Sequence, residues 1–359
     1  MKLTDLAQEL VDLIVDALLY GDPKLLSSST RHDLRTCLFV TQMTRCRAGQ
    51  HLFRSIRISD EQDEDVLTSL KTLLQLISPN TTSGRVGIAS FVKELSVKFV
   101  RLDAEGFLDN NETLIPQIFD ALDAPQYGSS SLSLSFPPRS HSFGLNLEER
   151  PEALQKSFYK LLHSPHLRTL SLENICGFSA TIFHGSHIET LRLKNTGYKD
   201  WDNTDKFHKI LRAAESRRVP RGEISHLRTL DIDNSAPLHP FRSEEGLQLH
   251  QLDSFVGNIH EIAHLRNVGM VIRQAKKIKI ISFHFLVNDD AQLSPIPGSL
   301  NLRDLSNLKH LEIVIPRHTP SNSMPDGIDS IAEILDMPIP PDPLITFEIK
   351  IKMPMVEAR

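Results

Sequence analysis

A chain of 359 residues, 40% hydrophobic and 24% charged, holds enough apolar material for one large or two modest soluble domains. Its net charge of -5 excludes a general electrostatic attraction to nucleic acid. Its three cysteines, Cys37, Cys46 and Cys176, exclude a paired disulfide framework. No run of about 18 apolar residues occurs, so no membrane span is expected. The apolar run at residues 10–19 is interrupted by Asp12 and Asp16 and lacks the small-residue cleavage site of a signal peptide. The expected compartment is the cytoplasm or nucleus.

Residues 4–19 carry the spacing of an amphipathic helix. Leu6, Leu10, Leu13, Ile14, Ala17 and Leu18 form its stripe, with Glu9, Asp12 and Asp16 on the other side. Gly21 ends it, and Asp22-Pro23 restarts a helix with Asp as N-cap and Pro at the first position. Leu34, Leu38, Phe39 and Val40 suggest a third helical piece, and residues 52–58 read as extended.

Leu6-Ala-Gln-Glu9-Leu10-Val-Asp-Leu13-Ile14-Val-Asp-Ala-Leu18, then Asp22-Pro23, then His51-Leu52-Phe53-Arg-Ser-Ile56, resembles a divergent F-box of the fungal type. That family usually has Leu-Pro at Leu6-Ala7, and a Val-Cys-Arg-x-Trp phrase at residues 40–44. Residues 27–33 look like an insertion. The resemblance implies a compact helical motif that docks on a Skp-type adaptor of a cullin–RING ubiquitin ligase, followed by a leucine-rich-repeat-like region. Leu6, Leu10, Ile14, Leu18 and Val40 are the candidates for the adaptor face. The alternative is a helical cap on the open edge of a repeat array.

An acidic run at residues 60–65 precedes a helical stripe of Val66, Leu67, Leu70, Leu73, Leu74 and Ile77, which Pro79 ends. Leu114, Ile115, Ile118, Phe119 and Leu122 mark another helix, and residues 132–136 alternate strictly, as a strand does. Pro151 opens a helix with Leu154, Phe158, Leu161 and Leu162 on its stripe.

An eight-residue phrase then dominates. Leu167-Arg-Thr-Leu-Ser-Leu-Glu-Asn174 returns as Ile188-Glu-Thr-Leu191-Arg-Leu193-Lys-Asn195 and as Leu227-Arg-Thr-Leu230-Asp-Ile232-Asp-Asn234. Apolar residues at positions 1, 4 and 6 give a half-buried strand. Residues 278–283, 308–313 and 344–349 fit the phrase, residues 92–97 fit weakly, and Leu252-x-x-Phe255 is doubtful. The steps run 21 residues (167 to 188), 39 (188 to 227), 51 (227 to 278), 30 (278 to 308) and 36 (308 to 344). A helix with Phe207, Ile210, Leu211 and Ala214 fills one gap, and Ile328, Ile331 and Leu335 mark another before the rigid connector at residues 338–343.

The expected fold is α/β: an irregular leucine-rich-repeat-like solenoid of parallel strands backed by helices at residues 59–352. A small all-helical segment at residues 1–58 precedes it, and residues 353–359 form a tail. No phosphate-binding glycine loop, nucleophile elbow or Cys-x-x-Cys occurs, so neither catalysis nor a cofactor or metal is expected. His166, His187 and His226 each stand just before a repeat strand and read as repeat-position residues rather than ligands. The polar positions between the core residues should line one face that binds a target protein. These are Thr169, Ser171, Glu173, Thr190, Arg192, Lys194, Thr229, Asp231 and Asp233, continued by His310 and Glu312. The sequence thus predicts a non-catalytic receptor that joins a target to an adaptor, or, alternatively, a stand-alone interaction scaffold.

Overall fold

Wherever the structure describes the repeated phrase, it is a strand. The computed structural model describes residues 8–19, 27–59, 66–78, 87–100, 113–124, 127–137, 145–177, 180–183, 185–196, 226–233, 249–259, 268–269, 271–285, 302, 305–316 and 346–352. Leu6, the Asp22-Pro23 start, the acidic run, Asn234, the helices expected around Phe207–Ala214 and Ile328–Leu335, and the connector and tail lie outside them.

The described chain is α/β, with a large parallel sheet and helices, in two compact units: residues 1–134 with 151–167, and residues 135–150 with 168–359. In the second unit the strands are β4 (Thr169–Glu173), β5 (Thr190–Lys194), β6 (Thr229–Asp233), β7 (Ser254–Ile259), β8 (Ile280–Phe285), β9 (His310–Pro316) and β10 (Thr346–Lys352). They lie side by side in chain order and pair parallel. The register is that of the phrase. Leu170 stands opposite Leu191, then come Leu230, Phe255, Ile281, Leu311 and Phe347. Leu170, Leu172, Leu191, Leu193, Leu230 and Ile232 are buried, as are Leu167, Ile188, Leu227, Leu252, Ile278 and Leu308 at position 1. Each such side chain stabilises the fold by about 1.5–3 kcal/mol relative to exposure.

The doubtful Leu252 unit is a full member, β7. Its phrase is blurred because Gly257 takes position 6, opposite Ile232 and Phe283. A Cβ at Gly257 would stand 3.1 Å from the Phe255 ring and 3.4 Å from Val268. The large Phe255 side chain, fully buried, takes the volume that leucine fills elsewhere. Val268, Val271, Ile272 and Ala275, in and just after a helical stretch, are buried too.

The asparagine that ends the phrase closes two strands. Asn174 and Asn195 are left-handed, at φ 57° and 48°, a region where a short polar side chain is tolerated because it bonds locally. The Asn174 amide donates to the Phe136 carbonyl and accepts from the Asn195 amide. Their backbone N–H groups donate to Lys194 O and Asp233 O. Asn174 is buried, so these bonds meet the needs of groups that would otherwise be orphaned.

The first unit opens with α1 (Gln8–Asp16), α2 (Ser28–Val40) and α3 (Gln42–Leu52), followed by the strands β1 (Ser55–Ser59), β2 (Glu94–Lys98) and β3 (Ser131–Ser135). β1 pairs parallel with β2, and β3 lies beside β2. Helices α4 (Val66–Ile77), α5 (Leu114–Leu122) and α6 (Glu152–Leu162) pack in series, and α4 packs on β1. Their buried residues include Leu70, Leu73, Ile77, Ile118, Phe119, Leu154, Phe158 and Leu161, the stripes expected from sequence.

Candidate functional site

The three N-terminal helices are held by polar chemistry as much as by apolar packing. α2 starts earlier than its leucines suggest, because the Ser27 hydroxyl accepts from the Thr30 N–H at 3.1 Å. Residues 27–33, which look like an insertion, thus form the cap and first turns of α2. α3 has no apolar stripe and was not foreseen. Thr41 and Thr44 form a reciprocal capping box at its start, each hydroxyl accepting from the other's N–H at 3.1 Å. The Thr44 hydroxyl also lies 2.7 Å from Cys37 O, which ties the corner between α2 and α3. Gly49 lets α3 approach the Phe91 ring, since a Cβ there would come within 2.9 Å of it. Inside, Val15, Leu34 and Ala48 form a small core, with Leu18, Leu19, Cys37, Leu38 and Leu52 against it. Burial pushes the Cys37 thiol up.

α1 packs on α3. Asp16, on the side opposite the apolar stripe in the sequence, pairs with α3. Arg47 donates to it from Nε at 2.7 Å and Nη2 at 2.6 Å, and His51 Nε2 donates at 2.7 Å. The Arg47 bond, against the cost of burial and with help from His51, holds the Asp16 carboxyl at about 2. Asp16 in turn raises the Arg47 guanidinium. Val11 and Val15 are the buried apolar residues of α1. Leu10 is 50% exposed, Leu13 63% and Ile14 49%; at the end of α2, Phe39 is 83% exposed and Val40 54%. Of the expected adaptor residues, Leu10, Ile14 and Val40 are therefore outward. Leu18 is half-buried against the small core, and Leu6 lies outside the described residues. Leu13 and Phe39 join the outward set. Leu13 was legible as part of the stripe, whereas no signal marked Phe39 apart from its neighbour Val40.

No protein-family model and no curated protein sequence matches this chain.

The second candidate face is the polar side of the sheet. Register places Thr169, Thr190 and Thr229 in one row; Ser171, Arg192 and Asp231 in the next; Glu173, Lys194 and Asp233 in the third. His310 extends the first row through Ser254 and Ile280, and Glu312 extends the second through Val256 and Ser282. All the expected target residues thus share one face. Their charges are largely answered by neighbouring strands. Lys194 Nζ is 2.7 Å from Glu173, and Arg192 Nε is 4.0 Å from Asp231. Glu312 accepts from Ser282 Oγ at 2.6 Å and pairs with Lys350 at 2.6 Å; the Lys350 bond, then that of Ser282, lowers its carboxyl. Asp231 differs, because burial raises its carboxyl against the pull of Arg192. His187 and His226, the repeat-position histidines, stack at 5.7 Å between ring centroids. Among the described residues no group of three or more His, Cys, Asp or Glu is arranged to hold a metal ion, and no helix is long and apolar enough to cross a membrane.

Proposed function

We propose that the chain is the substrate-receptor subunit of a cullin–RING ubiquitin ligase, docking through α1 and the end of α2 on a Skp-type adaptor. The observation that carries this reading is the outward apolar stripe of Leu10, Leu13 and Ile14, beside which α1 turns an aspartate inward. Exposed apolar side chains grouped on one helix face mark an interaction site. The chain does no bond chemistry itself; it raises the local concentration of its target near the ligase.

The target side is the polar sheet face, in a leucine-rich-repeat-like solenoid. Three features support the solenoid. The phrase-bearing strands follow one another in chain order. Strands β4, β5 and β6 alternate buried and non-buried residues, whereas parallel sheets covered on both faces read as continuous apolar runs. The asparagines that end successive phrases bond to each other.

The test is capture of the full chain by a purified Skp-type adaptor, beside the double variant Leu10→Asp with Ile14→Asp. The expected result is capture of the parent and none of the variant. Equal capture of both overturns the assigned face. No capture of the parent favours the stand-alone scaffold, with α1–α3 as a cap.

A further inference from the structure

We infer that Asp16, gripped by Arg47 and His51, is the positioning residue that sets the rotation of α1 about its own axis and so keeps Leu10, Leu13 and Ile14 outward as a preformed docking face. The inference rests on the adaptor reading for the identity of the partner, though not for the geometry.

α1 is apolar on two sides. One side carries Leu10, Leu13, Ile14 and Ala17; the other carries Val11 and Val15, with which Leu18 and Leu19 pack against the small core. Hydrophobic burial scales with apolar area, and leucine and isoleucine each offer more than valine. Area alone therefore does not favour burying Val11 and Val15 while Leu13 stays 63% exposed. The polar contacts separate the two rotations. Asp16 receives three donors from α3, two of them in the forked geometry that suits a carboxylate. Turning the leucines inward would swing Asp16 away from Arg47 and His51. Arg47 is itself steadied by donating from Nη1 to Gln50 Oε1 at 3.0 Å, and Asp12 adds negative charge nearby. A one-carboxylate, three-donor grip thus selects the rotation that leaves Leu10, Leu13 and Ile14 free for a partner.

The experiment is hydroxyl-radical footprinting of the full chain. It reads modification of Leu10, Leu13 and Ile14 relative to Val11 and Val15. Four chains are compared: parent, Asp16→Asn, Arg47→Met, and the charge-swapped pair Asp16→Arg with Arg47→Asp. The inference expects a severalfold fall in the ratio for each single variant and recovery in the swapped pair. An unchanged ratio in folded single variants overturns it. Should the single variants melt α1, the swapped pair decides: recovered helix and ratio support the inference, and no recovery overturns it. In parallel, adaptor capture is measured for the same chains. Capture lost in Asp16→Asn and regained on swapping supports the link to docking, and equal capture throughout overturns it. Failure of the parent to be captured sinks the ligase reading instead, and the footprinting ratio alone then judges the grip.

Discussion

The N-terminal helices and the parallel sheet use similar side chains in opposite ways. In β4–β6 the leucines and isoleucines point inward and the charged residues outward, where Lys194 meets Glu173. In α1 Leu10, Leu13 and Ile14 point outward, while Asp16 is held against α3 by Arg47 and His51. The difference teaches that apolar periodicity tells which residues share a side, but not which side is covered. In the sheet, repetition settles the question, since each strand's apolar row continues into the next. A lone helix has no such neighbour, and a single grip of three donors on one carboxylate overrides its apolar pattern.

Five variants sharpen this comparison. The largest effect belongs to Leu230→Ala in the sheet, which empties a fully buried position and should cost about 3–4 kcal/mol in urea unfolding. Asn174→Ala should cost about 2–3 kcal/mol, because it removes two amide bonds and leaves a side chain ill-suited to φ 57°. Asn174→Gly should recover the backbone part of that loss and so separate the two causes.

Asp16→Asn should cost about 1 kcal/mol, the scale of a partly exposed charge-assisted pair. Its pH signature is specific. The folded carboxyl lies at about 2, below its ordinary 3.8, so its contribution is fully present above pH 3.8 and is lost as pH falls towards 2. The acid limb of the parent's stability curve should therefore flatten in the variant. The smallest effect on stability, under about 0.5 kcal/mol by thermal melting, is expected for Leu10→Asp with Ile14→Asp, since both side chains are already half in water. A large loss there would mean that the stripe is core and would erase the contrast between the two regions.

Much of the sheet was legible, because a period repeated over many strands outweighs local ambiguity. Leu252-x-x-Phe255 was obscure because Gly257 and Phe255 exchange volume within one strand, which a residue-by-residue pattern cannot express. The helix α3 was illegible for another reason. Its existence rests on a threonine capping box and on Gly49 meeting Phe91, contacts that leave no apolar stripe. The outward stripe of α1 was legible as a set of apolar residues, yet the pairing of Asp16 was not, since its partners lie 31 and 35 residues away in sequence. The rows of the polar face followed from the phrase. Their mutual neutralisation did not, because it depends on which strands become neighbours.

The most direct measurement is a side-chain footprint of the full chain with and without a purified Skp-type adaptor. The account predicts protection of Leu10, Leu13, Ile14, Phe39 and Val40, with the polar face of β4–β6 unchanged. Binding with protection confined to the sheet, or no binding at all, would contradict it.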